Sequence, residues 1–187
     1  QVLASYVWSK TRGTADNRYG GDIGWNSHDD LAPADPNYWT NADGNSTRDP
    51  THMLKLQGTY VVPGVDISLS LYLRAISGNT WTTRFRSPLL AQGMVTVFAE
   101  PRGSGRYDTQ STLDVRLEKI LTIGAKYRLG LIADIFNVFN ADTISDWGTL
   151  LNDDYFLDPG VYPSTGGHAL YGIVNPRQAR LGIRLMF

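Results

Sequence analysis

Cysteine is absent from the 187 residues, which excludes disulfide frameworks, thiolate metal sites and cysteine nucleophiles. No apolar run reaches the roughly 18 residues that a membrane-crossing helix needs. Charge of one sign is not in excess either: 17 basic and 18 acidic side chains leave a formal net charge of −1. No basic block or stripe stands out, so nucleic acid has no electrostatic footprint here. Helix-period patterns are scarce, whereas Gly (19), Tyr (10) and Trp (5) are well represented. What remains is β structure.

Six stretches alternate apolar and polar with period two, the pattern of strands whose two faces meet different surroundings. They lie near residues 2–12, 52–62, 65–76, 112–121, 127–138 and 178–187. The run from Val65 to Ala75 is the clearest, with every odd position apolar. One face collects Val2, Ala4, Tyr6 and Trp8, then Leu54, Leu56, Gly58, Tyr60 and Val62, then Val65, Ile67, Leu69, Leu71, Leu73 and Ala75. It continues through Leu113, Val115 and Leu117, through Tyr127, Leu129, Leu131, Ala133 and Ile135, and through Ala179, Leu181, Ile183, Leu185 and Phe187. None of these is charged. The other face holds Lys55, Asp66, Arg74, Asp114, Arg116, Glu118, Arg128, Asp134, Arg180 and Arg184 among small polar residues.

A soluble antiparallel sheet also alternates, so length and connectivity must decide. Soluble strands usually run to roughly 5–6 residues, whereas a tilted membrane strand needs about 9–11. Most of these runs belong to the longer class. The links alternate strictly: long (13–51), short (Pro63-Gly64), long (77–111), short (122–126), long (139–177). Outer-membrane barrels pair short periplasmic turns with longer extracellular loops in this way, which would put Phe187 on the periplasmic side. Aromatics fit two interfacial girdles: Trp8, Trp81, Phe136 and Phe139 near the long-loop ends, and Tyr60, Tyr127 and Phe187 near the short turns. The fold expected is therefore all-β: an antiparallel transmembrane β-barrel segment of about six strands. The chain opens at Gln1 inside a strand-like run, as expected of a fragment, residues 1–187 being the C-terminal part of one barrel domain.

The last residues read Arg180-Leu-Gly-Ile-Arg-Leu-Met-Phe187. With Arg180, Gly182, Leu185 and the terminal Phe187, they resemble the C-terminal signal read by the outer-membrane barrel assembly machinery, which would pair with a strand edge. Thr112-Leu-Asp-Val-Arg-Leu-Glu-Lys119, Ala133-Asp-Ile-Phe-Asn-Val-Phe-Asn140 and the run from Asn175 to Phe187 resemble the closing strands of TonB-dependent receptors. The nearest group is the Oar-like receptors, which carry a carboxypeptidase-regulatory-like domain at the N-terminus. Ala4-Ser-Tyr-Val-Trp-Ser-Lys-Thr-Arg-Gly13 looks like an earlier strand of the same barrels. The resemblance spans the chain and is weakest in the long loops. It implies a barrel of about 22 strands closed by a plug, in the outer membrane of a Gram-negative bacterium, taking up a scarce siderophore, glycan or peptide. The partners implied are outer-membrane lipid, the assembly machinery, the TonB system through the plug, and a small ligand. Plug, TonB-contacting segment and signal peptide do not lie within these residues. A plug-free channel or structural barrel, and a soluble all-β binding module, stay open as alternatives.

No chemistry of a reaction stands out. There is no G-x-S-x-G, no phosphate-binding glycine loop and no nucleophile–base pair, so neither an enzyme nor a cofactor is expected. His28, His52 and His168 lack ligand spacing. Asp29, Asp30, Asp35, Asp43 and Asp49, with Asn41-Ala-Asp-Gly-Asn45, lack the closing Glu of a calcium loop and read as solvated loop carboxylates. Gly103-Ser-Gly105 reads as a flexible loop, and Asn137–Asn140 as a strand exit in which asparagine eases the turn. Trp25, Trp39 and Trp147 are candidate ligand-contact aromatics in the long loops, with loop self-packing as the plainer alternative.

Overall fold

The computed structural model describes residues 1–14, 40–46, 49–86, 96–124, 126–149 and 169–187. Among them there is no helix, and six long strands form one antiparallel sheet. These are β1 (Val2–Trp8), β2 (His52–Val62), β3 (Ile67–Ile76), β4 (Gln110–Ile123), β5 (Tyr127–Phe136) and β6 (Gln178–Met186). Each pairs with its neighbour in the chain, so the sheet is an open meander with β1 and β6 at its edges.

The alternation in sequence becomes a segregation of faces because the register never slips. One row runs Val2, Gly58, Leu71, Val115, Ile135, Ala179, and the next apolar row runs Tyr60, Leu69, Leu117, Ala133, Leu181. A shift of one residue at any ladder would have moved a whole strand's apolar set to the opposite face. The register also adds two residues that the alternation left out. His52 and Lys119 stand on the apolar face, opposite Trp8 and Leu131 respectively.

Strand ends depart from the sequence-based bounds where the backbone turns left-handed. Asp66 has φ +48° and Gly64 φ +80°, so residues 63–66 form the turn and β3 begins at Ile67. Val65 therefore lies in that turn and not in a strand. Asn137, at φ +50°, stops β5 at Phe136. The first strand ends at Trp8, and Arg12–Gly13 pairs separately with Gly44–Asn45.

Successive hairpins are staggered. Carried across the ladders, the β1–β2 end at Trp8/His52 comes level one residue before Gln110 on β4, and the β5–β6 end at Phe136/Gln178 comes level with Asp114. That offset of about five residues over four strands slants the line of these hairpin ends by roughly 40° from the perpendicular to the strands, at about 3.3 Å per residue and about 4.8 Å per strand.

Short ribbons continue at the long-connection end: Arg12–Gly13 with Gly44–Asn45, Thr80–Trp81 with Gly105–Arg106, Arg84–Arg86 with Thr96–Phe98, and Ile144–Trp147 with Leu170–Ile173. They make a cap, and most of the buried residues are there: Ala42, Phe98 and Tyr107 with Ser46, Asp49, Thr80, Thr82 and Arg102. The apolar face of the sheet has no such cover. Val2 is 82% exposed, Leu181 85% and Phe187 96%.

Close backbone approach holds the cap together. A Cβ on Gly44 would lie 1.9 Å from the Arg102 carbonyl oxygen, and one on Gly78 2.2 Å from that of Tyr107. Gly44→Ala is expected to destabilise the fold by about 1–3 kcal/mol, the usual cost of forcing extra volume into a packed site, seen as a lower denaturant midpoint. An unchanged midpoint would show that the cap does not depend on this contact.

Candidate functional site

The polar face of β4, β5 and β6 carries a charge network built by register alone. Arg116, Asp134 and Arg180 are level on three adjacent strands. Asp134, only 4% exposed, accepts from Arg116 Nε at 2.6 Å and from Arg180 Nη2 at 2.7 Å. The Arg180 guanidinium also lies over the Phe136 ring, 5.2 Å from its centroid. One turn of the pleat away, Glu118 on β4 reaches across β5 to pair with Arg184 on β6. Gly130, between them, leaves the space: a Cβ there would come within 3.2 Å of Glu118 Oε1. Three arginines thus meet two carboxylates, and the face keeps a positive excess.

Further up, Lys55 and Arg74 stand directly opposite each other on β2 and β3. Arg74 borders a cavity of about 470 Å³ with Thr112, Asp114, Phe136, Asn175 and Gln178. The floor of this pocket is set by the exit turn of β5. The Asn137 backbone N–H donates to Asp114 Oδ1 at 2.8 Å, its side-chain amide donates to the carbonyls of Ala141 and Asn175, and its Oδ1 accepts from the Ala141 N–H. Arg177 N–H donates to Asn140 Oδ1 at 2.9 Å. Asn137 and Asn140 thus tie the turn to the segment leading into β6, as a strand exit should. Guanidinium, carboxylate, amide and ring line this cavity together, a mixture that suits a small polar or zwitterionic molecule.

In the cap, Trp81, Tyr107 and Trp147 form an aromatic cluster, with Trp147 edge-on to both others at 5.2 Å. The Tyr107 hydroxyl donates to Asp146 Oδ1 and accepts the Trp147 backbone N–H, each at 3.2 Å. Burial, more than the nearby Asp146 charge, pushes the Tyr107 hydroxyl well above its ordinary range, so it stays protonated as a donor. Arg102, buried, donates to the Gly13 carbonyl.

Several sequence-based expectations need correcting. Asp49 is not a solvated loop carboxylate: it is buried, accepts the Thr11 N–H and faces Arg106 at 3.7 Å. Asp43 does stay exposed, paired with Arg12 at 2.8 Å at the surface, while the side chains of Asn41 and Asn45 donate to the carbonyls of Phe98 and Gly103. Gly103 and Gly105 are packing points against Asn45 and Trp81. Trp81 and Phe136 do not join an outward girdle, since Trp81 lies in the cap cluster and Phe136 lies under Arg180. Trp8, Tyr60, Tyr127, Phe139 and Phe187 are exposed.

Of the assembly-signal residues, Leu185 stands on the apolar face of the edge strand and Phe187, just past its end, is exposed, while Arg180 is bound to Asp134 on the other face. Gly182 pairs with Ile132. Trp147 is packed in the cap, and Trp25 and Trp39 lie outside the described residues, as do His28, His168, Asp29, Asp30 and Asp35. Among the described residues, no three acidic or histidine side chains gather where a metal ion would fit. Tyr107 and Arg102 gave no sign in the sequence, for neither belongs to a motif or a periodic run. Compared with protein-family models, curated proteins and solved structures, the chain matches none.

Asp134→Ala is expected to cost about 2 kcal/mol, between the values for exposed and buried ion pairs, because it leaves two guanidinium groups facing each other. Tyr107→Phe is expected to cost about 1 kcal/mol, chiefly through the part-buried Trp147 N–H that loses its acceptor. Denaturant titration reads both, and a neutral result for either would remove that residue from the framework.

Proposed function

We propose that these six strands are part of the wall of an outer-membrane β-barrel, and that the parent protein is a TonB-dependent receptor taking up a scarce small ligand. The observation that carries the reading is the bare apolar face, continuous in register over all six strands, with the charge network on the opposite face. Each large apolar side chain left in water forfeits roughly 1.5–3 kcal/mol of burial, so that face calls for an apolar neighbour. No second layer covers it among the described residues. Hydrocarbon is such a neighbour, and a polar, water-filled interior suits the other side.

Two further features support it. Membrane barrels tilt their strands by about 35–45°, and hairpin ends held at one membrane depth would tilt these strands by roughly 40°. Among the described residues β1 and β6 have no partner on their outer sides, and lipid does not tolerate unpaired backbone groups, so this reading requires further strands beside them. The transport role rests on the resemblance of the closing strands, and the pocket at the long-connection end is compatible with it.

Absence of cysteine makes the wall easy to map. With single substitutions Leu71→Cys, Leu117→Cys and Ile183→Cys, a water-soluble maleimide is expected to label poorly in membranes, and attached fluorophores to be quenched by brominated lipid. Ser70→Cys, Glu118→Cys and Ile132→Cys should behave in the opposite way. Equal labelling of both sets would overturn the barrel. Uptake that persists in cells lacking TonB would overturn active transport and leave a passive channel.

A further inference from the structure

The apolar face is not uniform. Lys119 is the one ionised side chain that the six strands place on it, level with Ile67 on one side and Leu131 on the other. An ammonium group in hydrocarbon is costly unless satisfied, and Lys119 Nζ donates to the Val65 carbonyl in the 63–66 turn. That bond anchors the charge at the short-turn end of the sheet. An ammonium has three donors, and the remaining two point to no carboxylate: no ion pair is formed by Lys119 among the described residues.

Beside it lies a groove of about 650 Å³, lined by Lys119, Leu117, Leu131, Ala133, Leu181 and Ile183. Its floor follows from the register. Ala133 is level with Leu117 and Leu181, so one methyl stands between two longer side chains. The volume falls in the roughly 300–1,000 Å³ range of small-molecule sites, and its walls are branched aliphatic chains. Tyr127, exposed beyond its short-turn end, is an amphipathic ring of the kind that sits at headgroup depth.

We propose that this groove binds one anionic phospholipid, with an acyl chain over Ala133 and its phosphate at Lys119 Nζ. The proposal rests on the membrane reading of the previous subsection. Charge complementarity selects the class of lipid: an apolar trough with a single cation at its polar end fits an anionic headgroup better than a zwitterionic one. The site lies on the outer surface, so it is independent of whatever fills the interior.

The test uses the full gene product, extracted from membranes in non-ionic detergent and offered phosphatidylglycerol and phosphatidylcholine in equal amounts, with bound lipid read by native mass spectrometry. Phosphatidylglycerol should be retained about fivefold over phosphatidylcholine, the factor expected of one lysine near an anionic surface. Lys119→Gln should bring the ratio to about one and Lys119→Arg should keep it. Ala133→Leu, filling the floor, should reduce retention of both lipids; should that variant not fold, the two Lys119 variants decide. Wild-type protein without preference, or Lys119→Gln with the wild-type ratio, overturns the lipid site while the barrel stands. A protein found wholly in the soluble fraction overturns the membrane reading and this site with it.

Discussion

Six strands joined by antiparallel ladders without a slip set every other property of this molecule. Backbone hydrogen bonding fixes which residues are level, and the pleat then sends alternate side chains to opposite faces. Because the ladders between the long strands are continuous, segregation that is only local in each strand becomes a surface-wide property. Arg116, Asp134 and Arg180 come together from three strands without any loop having to place them. The same ladders align Leu117, Ala133 and Leu181 on the reverse side.

The two faces solve opposite problems of solvation. On the polar side, Asp134 is withdrawn from water and needs both arginines to compensate, and Gly130 supplies the clearance that lets Glu118 reach Arg184. On the apolar side there is little to satisfy: the Tyr6 hydroxyl and the His52 ring bond each other, and Lys119 turns back to a turn carbonyl. The cap obeys a third rule. Its short ribbons cannot bury much apolar area, so tight glycine contacts and bonds from Arg102, Asn41, Asn45 and Arg106 to backbone carbonyls hold it.

The all-β class, the six long strands and their antiparallel order were legible because alternation has a period that a reader can count. Strand ends were less legible: nothing in Val65-Asp66 breaks the alternation, yet Asp66 adopts a left-handed backbone and the strand starts at Ile67. Lys119 was hidden for a related reason, since a single charge in an otherwise apolar row looks like the end of the row. In the candidate site, the charged residues of the polar face could be named from phase, but their pairing needed the register between strands. The cap was opaque. Asp49 and Tyr107 are buried by segments distant in sequence, while Trp81 packs in the cap and Phe136 lies under Arg180, although both stand where a girdle was expected.

A meander in which each strand touches only its neighbours in the chain has a consequence for change over time. The energetic cost of closing a loop rises slowly, by about 0.6 kcal/mol for each doubling of its length. The sheet can therefore tolerate long connections being extended, shortened or exchanged at one end while its ladders stay as they are. Whatever the loops contact can diversify far faster than the sheet that carries them.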